Sequence, residues 1–183
     1  MKDCTTGIRS DRRVRDLGIV NSLIAKIAAK AVRADNMHLF NVLGRNWRLF
    51  LAWLPFSGVL LGLGKLPRQD TELIILRVGH LRGCTYELQH HSRIAKRYGI
   101  DEALQARIAE GPHNRRRVTR EDNLMKCVDD IVLKHKLSVE NRKWLAYYYS
   151  PAQIVEFCTV ITQYDALATM ISVLEIPLDF PEN

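Results

Sequence analysis

Apolar residues recur at helical spacing along most of this chain, and strand-like alternation is nearly absent. In "LGIVNSLIAKIAAKAV", residues 17–32, they return every third and fourth position, and "MHLFNVLGRNWRLFLAWL", residues 37–54, continues as a second, more hydrophobic helical stretch. Pro67 sits where the first turn of a helix tolerates it and opens "PRQDTELIILRVGHLR", which Gly83 breaks. The next helix starts near Cys84 and ends at "KRYGI", with cations in its last turn, Gly99 at the C′ position and apolar Ile100 beyond. Asp101 caps a short helix stopped by Gly111 and Pro112. Thr119 and Ser138 are the caps of two more, and "SPAQ", residues 150–153, is a capping box with proline at its first helical position. It launches the long apolar segment "IVEFCTVITQYDALATMISVLEI". The pattern predicts an all-α protein of seven or eight helices.

Length and composition change this picture little. With 183 residues, 47% apolar and 26% charged, the chain can bury one real core. The organisation expected is a basic N-terminal arm over 1–16, a single helical domain over 17–176 and a tail over 177–183. The net charge of +7 is concentrated in Arg9, Arg12, Arg13 and Arg15 and in Arg115, Arg116 and Arg117. Such runs read as solvated arms or loops, because neither is interleaved with aromatics or set on a groove-sized helix; no nucleic-acid partner is expected. The stretch Leu49–Gly64 is shorter than the roughly 18–20 residues of a membrane span and contains Pro55. It reads as a buried helix with a break or as an oligomer contact, so no membrane partner is expected and a homo-oligomer is. Cys4, Cys84, Cys127 and Cys158 are scattered, with no C-x-x-C pair and no secretory leader, which points to a reducing cytoplasm.

Candidate chemistry is concentrated in "HLRGCTYELQHHSRIAKRYGI", residues 80–100. On a helix, Cys84, Glu87, Leu88 and His91 share one face, followed by Ile94 and Ala95. His90 is turned about 100° away, towards Tyr86, Arg93 and Arg97, and reads as a surface or interface histidine. A cysteine in the first turn feels the positive end of the helix dipole, which lowers its pKa and enriches the thiolate; the alternative is a buried small hydrophobe. Glu72 shares a stripe with Ile75, Leu76 and Gly79, so its carboxyl is expected in apolar surroundings, where burial would raise its pKa into the range of a usable acid or base. Glu87, His91 and Cys84, with Glu72 or His90, could supply metal ligands, but no recognised metal spacing is matched. No cofactor and no metal are expected.

The pattern L-P-x-x-x-x-E-L-x-I-L-R-V, a glycine turn and then C-x-Y-E-x-x-x-H-x-x-I-A-x-x-x-G, in "LPRQDTELIILRVGHLRGCTYELQHHSRIAKRYGI" (residues 66–100), resembles the carboxymuconolactone decarboxylase family, which includes the alkylhydroperoxidase D-like proteins. "ITQYDALATMISVL" resembles the family's later helix, and the similarity runs from about Asn36 to near Ile176. The resemblance implies an all-helical domain around an antiparallel helical hairpin, assembled as trimers or hexamers. It matches Glu72 to the relay glutamate, Cys84 to the first cysteine and His91 to the histidine of the peroxidases, while Glu87 replaces their second cysteine.

Two activities are implied. One is thiol-dependent peroxide reduction, with Cys84 as nucleophile, Glu72 and His91 as proton relay and Glu87 shaping the thiol's surroundings. The other is decarboxylation of a carboxylated lactone, with Glu87 and His91 as acid and base and Arg77 or Arg82 as the anion site. A third reading is a non-catalytic oligomeric binding protein on the same fold.

Overall fold

The computed structural model describes residues 37–112 and 118–180. The helix expected over 17–32, the basic arm, the Arg115–Arg117 loop and the last three residues of the tail lie outside the described residues. Within them are eight α-helices and no strand: α1 (His38–Leu43), α2 (Trp47–Gly58), α3 (Arg68–Arg82), α4 (Thr85–Lys96), α5 (Glu102–Glu110), α6 (Arg120–Lys134), α7 (Val139–Tyr148) and α8 (Pro151–Val173), with a π-helical turn at Val59–Leu63. Two compact units divide the chain, one running to Gly58 and resuming at Met170, the other Val59–Thr169.

In the first unit the stretch 37–54 is two helices and not one, interrupted at Gly44–Asn46. Phe40 meets Phe50 and Trp53 edge-on at 5.4 and 5.8 Å, and Asp179 of the tail accepts hydrogen bonds from the His38 backbone and ring at 2.8 and 2.5 Å. The stretch Leu49–Gly64 is broken, where α2 gives way to the π-helical turn after Gly58, but it is not the buried helix expected. Pro55 lies inside α2, which continues to Gly58, and of α2 only Phe50 is buried, while Leu49 is 65% exposed.

In the second unit α3 is the central element: every residue from Asp70 to Gly79 is buried, and α4, α5 and α6 all pack on it. α3 and α4 form an antiparallel hairpin. Gly83 closes α3 in the left-handed conformation (φ 61°), Cys84 is the N-cap of α4, and a Cβ on Gly79 would lie 3.0 Å from Leu88, so glycine lets the two helices approach closely. The caps read from sequence are present. Asp101 accepts from the Leu104 amide at 2.8 Å, Thr119 and Asp122 form a reciprocal capping box, Ser138 accepts from Asn141, and Ser150 pairs reciprocally with Gln153.

Two ion pairs, each with its α3 member buried, fix α3 to its neighbours. Asp70 takes both terminal nitrogens of Arg120 on α6, and Arg77 makes a forked pair with Asp129 at 2.7 and 2.9 Å while donating to the carbonyls of Ile108 and Ala109 at the end of α5. Gly111 borders that guanidinium. Its φ is 91°, and a Cβ there would lie 2.6 Å from Arg77 Nη2, whose group is already committed to Asp129. Gly111→Ala is therefore expected to cost about 1–2 kcal/mol in urea unfolding, from strain at positive φ plus displacement of the guanidinium; an unchanged midpoint would show that the turn relaxes freely.

The face of α8 within this unit buries Phe157, Val160, Ile161 and Tyr164. By length and composition alone, this is the one helix among the described residues that could cross a membrane.

Candidate active site

The α3–α4 hairpin brings Glu72, Glu87 and His91 together. Two turns separate Glu72 from Gly79 on α3, and Glu87 and His91 stand one turn apart on the facing side of α4, so the imidazole falls between two carboxylates. His91 Nδ1 is 2.7 Å from Glu72 Oε2, and Nε2 is 3.4 Å from Glu87 Oε2. The first contact is a short hydrogen bond; the second is an ion-pair distance, too long for a strong hydrogen bond. Glu72 is fully shielded, whereas Glu87 and His91 each keep a few per cent of exposure. Glu72 is thus the inner, orienting carboxylate, and the Nε2–Glu87 edge is the one nearer to solvent.

Burial works against a charged imidazole here, but the charges and hydrogen bonds of Glu72 and Glu87 overcome it and raise the His91 pKa to about 9. At neutral pH the ring is an imidazolium. Glu72 carries a second counter-ion: Arg68, one turn earlier on α3, pairs through Nη2 with Oε1. The cluster therefore alternates in charge, Arg68, Glu72, His91, Glu87, and sums to zero. Tyr164 from α8 walls the cluster, its ring edge-on to the imidazole at 5.2 Å. Its phenol is pushed well above the ordinary value, first by burial and then by the charges of Glu87 and Glu72, so it is a neutral O–H at any physiological pH.

Cys84 is 7% exposed at the N-cap of α4. Its sulfur makes no capping hydrogen bond, although the backbone N–H groups of Glu87 and Tyr86 pull its pKa down in part. Desolvation outweighs them, the Glu87 carboxylate adds to it, and the thiol pKa ends above its ordinary value. This overturns the lowered pKa expected from the helix dipole: a partial positive charge in a dry pocket beside a full negative one does not win. The imidazole contacts found for His91 are two carboxylates and the Tyr164 ring, not sulfur.

Other sequence expectations need correction. His90 is not a surface histidine; it is 7% exposed and packs on Tyr86, with ring centroids 4.8 Å apart. Neither anion-site arginine is available, since Arg77 is tied to Asp129 and Arg82 donates to Asp165 and to the carbonyl of Val132. Among the described residues no group of three or more His, Cys, Asp and Glu side chains is placed to hold a metal ion. Cys84, Cys127 and Cys158 are free thiols, and burial pushes Cys127 up to about 12.

Sequence reasoning missed two members of the cluster. Arg68 was legible as a cation four residues before Glu72 on one helix. Tyr164 comes from 73 residues beyond His91 in a long apolar helix, and no local spacing marks it.

Residues 48–112 match the family model described as the carboxymuconolactone decarboxylase family. No curated protein matches the sequence. Among solved structures, the chain is similar to an uncharacterized peroxidase-related protein from Silicibacter sp. TM1040, at 12% identity and a TM-score of 0.76, over 97% of this chain and 92% of that one. It is similar also to the alkylhydroperoxidase AhpD core of an uncharacterized peroxidase-related protein from Ralstonia eutropha JMP134, at 12% identity and a TM-score of 0.75, over 91% and 89%. Those similarities establish the fold, and the matched segment contains the whole α3–α4 hairpin with Glu72, Cys84, Glu87 and His91. The chain therefore has the all-helical alkylhydroperoxidase D-like fold.

Proposed function

We propose that this chain is an acid–base enzyme acting on a small carboxylated lactone or a related enolisable substrate, with His91 as the proton-transferring group. The observation that carries this reading is the seating of the imidazole between two carboxylates, Glu72 on Nδ1 and Glu87 near Nε2. A ring so held is charged at neutral pH and has its Nε2–H directed to the less shielded side. Loss of carbon dioxide from a carboxylated lactone leaves the bond's electron pair on the substrate as a carbanion or dienolate. His91 Nε2–H supplies the proton that quenches it, and Glu87 passes a replacement proton from solvent to the ring. Glu72 fixes the tautomer and orientation throughout.

A second reading, thiol-dependent peroxide reduction, is supported by the backbone N–H groups of Tyr86 and Glu87 near the Cys84 sulfur. There the thiolate would take one oxygen from the hydroperoxide, releasing the alcohol and leaving a sulfenate for an external thiol to reduce. The exposed apolar side chains of α2 support a homo-oligomer, trimer or hexamer, and the free thiols suit a reducing cytoplasm.

The readings separate in one panel. Wild type, Cys84→Ser and His91→Gln are assayed against carboxylated lactones and alkyl hydroperoxides, and the rate of Cys84 alkylation by iodoacetamide is followed at pH 7.5. The acid–base reading expects lactone turnover to survive Cys84→Ser, to fall about 10²–10⁴-fold in His91→Gln, and Cys84 to alkylate far more slowly than in the urea-unfolded chain. Peroxide consumption that disappears in Cys84→Ser, with every lactone inert, would overturn it.

A further inference from the structure

We propose that Arg68, backed by Tyr98, is a carboxylate-binding site on the flank of the Glu72–His91 pair, the place where a substrate's carboxylate is held. The inference rests on the acid–base reading for its purpose, but its evidence is separate. Among the described residues only Nη2 of the guanidinium is engaged, by Glu72, while Nε and Nη1 are buried and meet no hydrogen-bond acceptor there. Buried guanidinium donors are almost always satisfied, so two that are not, on a residue one turn from the proposed proton relay, mark a place built to receive an acceptor. The contrast with the other buried or half-buried arginines of this unit is direct: Arg77 uses all three nitrogens, and Arg82 and Arg120 each hold an aspartate.

The surroundings fit an anion with an apolar body. The Tyr98 ring lies with its centroid 5.2 Å from the guanidinium carbon, as a 43%-exposed outer wall, so it can stack on a flat ligand as well as on the arginine. Glu72 neutralises one positive charge, His91 supplies another, and Glu87 alone balances it. The cluster is thus already neutral, and what draws a carboxylate to Arg68 is the pair of unmatched guanidinium donors, which two carboxylate oxygens can satisfy together and the single carbonyl oxygen of a neutral amide cannot.

Benzoate is the probe and benzamide its neutral control, with binding followed by titration calorimetry and by the imidazole NMR signals of His91. Saturable benzoate binding is expected, weakened at least tenfold in Arg68→Gln, less so in Tyr98→Ala, and with benzamide at least tenfold weaker than benzoate. Because Arg68→Gln leaves Glu72 short of a partner, Arg68→Lys is measured beside it: lysine keeps the charge on Glu72 but loses the Nε and Nη1 donors, and should fold while still binding several-fold more weakly. Benzoate binding that is absent in the wild type, or equal in the wild type and either Arg68 variant, overturns the proposal. No turnover enters these measurements, so a protein that binds benzoate through Arg68 yet processes no lactone would sink the acid–base reading and leave this site in place.

Discussion

Asp70→Ala is expected to lower the melting temperature by about 5–15 °C, the largest stability loss of any single surface-to-core pair in the second unit. The Asp70 carboxylate, 2% exposed, accepts from Arg120 Nη1 and Nη2 at 2.7 and 2.6 Å and from the Tyr149 hydroxyl at 2.8 Å; Arg120 Nη2 also donates to that hydroxyl. Three elements meet at this one group: the first turn of α3, the first residue of α6 and the C-cap of α7. Breaking a fully buried pair costs about 3–5 kcal/mol because the remaining charge is stranded. Here Arg120 keeps 36% side-chain exposure and can turn to water, so the expected loss is about 2–4 kcal/mol. For a chain of this length each kcal/mol moves the melting temperature by roughly 2–4 °C. Tyr149→Phe removes one hydroxyl and leaves the forked pair, and should cost only about 1 kcal/mol. Calorimetric melts that place the two variants within 2 °C of each other would show that the pair, as distinct from the hydroxyl, contributes nothing. The pair also matters to the site, because Asp70 lies between Arg68 and Glu72 in the same helical turn, and the position of that turn sets where both reach.

How much of this was legible in the sequence depends on how far each cause reaches along the chain. The caps at Asp101, Thr119, Ser138 and Ser150 were readable because an N-cap is decided within four residues. The shared face of Glu87 and His91 and the burial of Glu72 were readable because helical period decides them. His90 shows where period fails: the wheel gives a direction but not what packs there, and Tyr86 with its neighbours makes that side part of the core. The Cys84 error is one of magnitude. The dipole argument was qualitatively right, since backbone N–H groups do lower the thiol pKa, but burial and the Glu87 charge exceed them, and both depend on tertiary packing. Arg120 and Tyr149 reach Asp70 across 50 and 79 residues, and Tyr164 reaches His91 across 73, so no local pattern could signal them.

Replacing His91 by glutamine should remove most of the protein's loss of stability in mildly alkaline solution as well as its turnover. The sign follows from the pKa. His91 titrates near 6.5 in the unfolded chain and about 9 in the folded one, so folding favours the protonated ring. A raised folded pKa contributes stability that is fully present below about pH 6.5 and is lost progressively as pH rises through about 9. Urea midpoints of the wild type should accordingly fall between pH 6.5 and 9, and those of His91→Gln should be flatter over the same interval. Glu72→Gln gives an intermediate case. It removes the largest charge favouring the imidazolium, so the fall should begin at lower pH and be smaller, and the alkaline limb of any activity profile should move acid with it. Glu87→Gln, 3.4 Å from Nε2 and not short-bonded, should displace that limb less. Activity should drop about 10²–10⁴-fold in His91→Gln, as expected for loss of a positioned proton donor. Parallel pH slopes in wild type and His91→Gln would mean that the ring is neutral in the folded protein, and with that the imidazolium between Glu72 and Glu87 would no longer account for the chemistry.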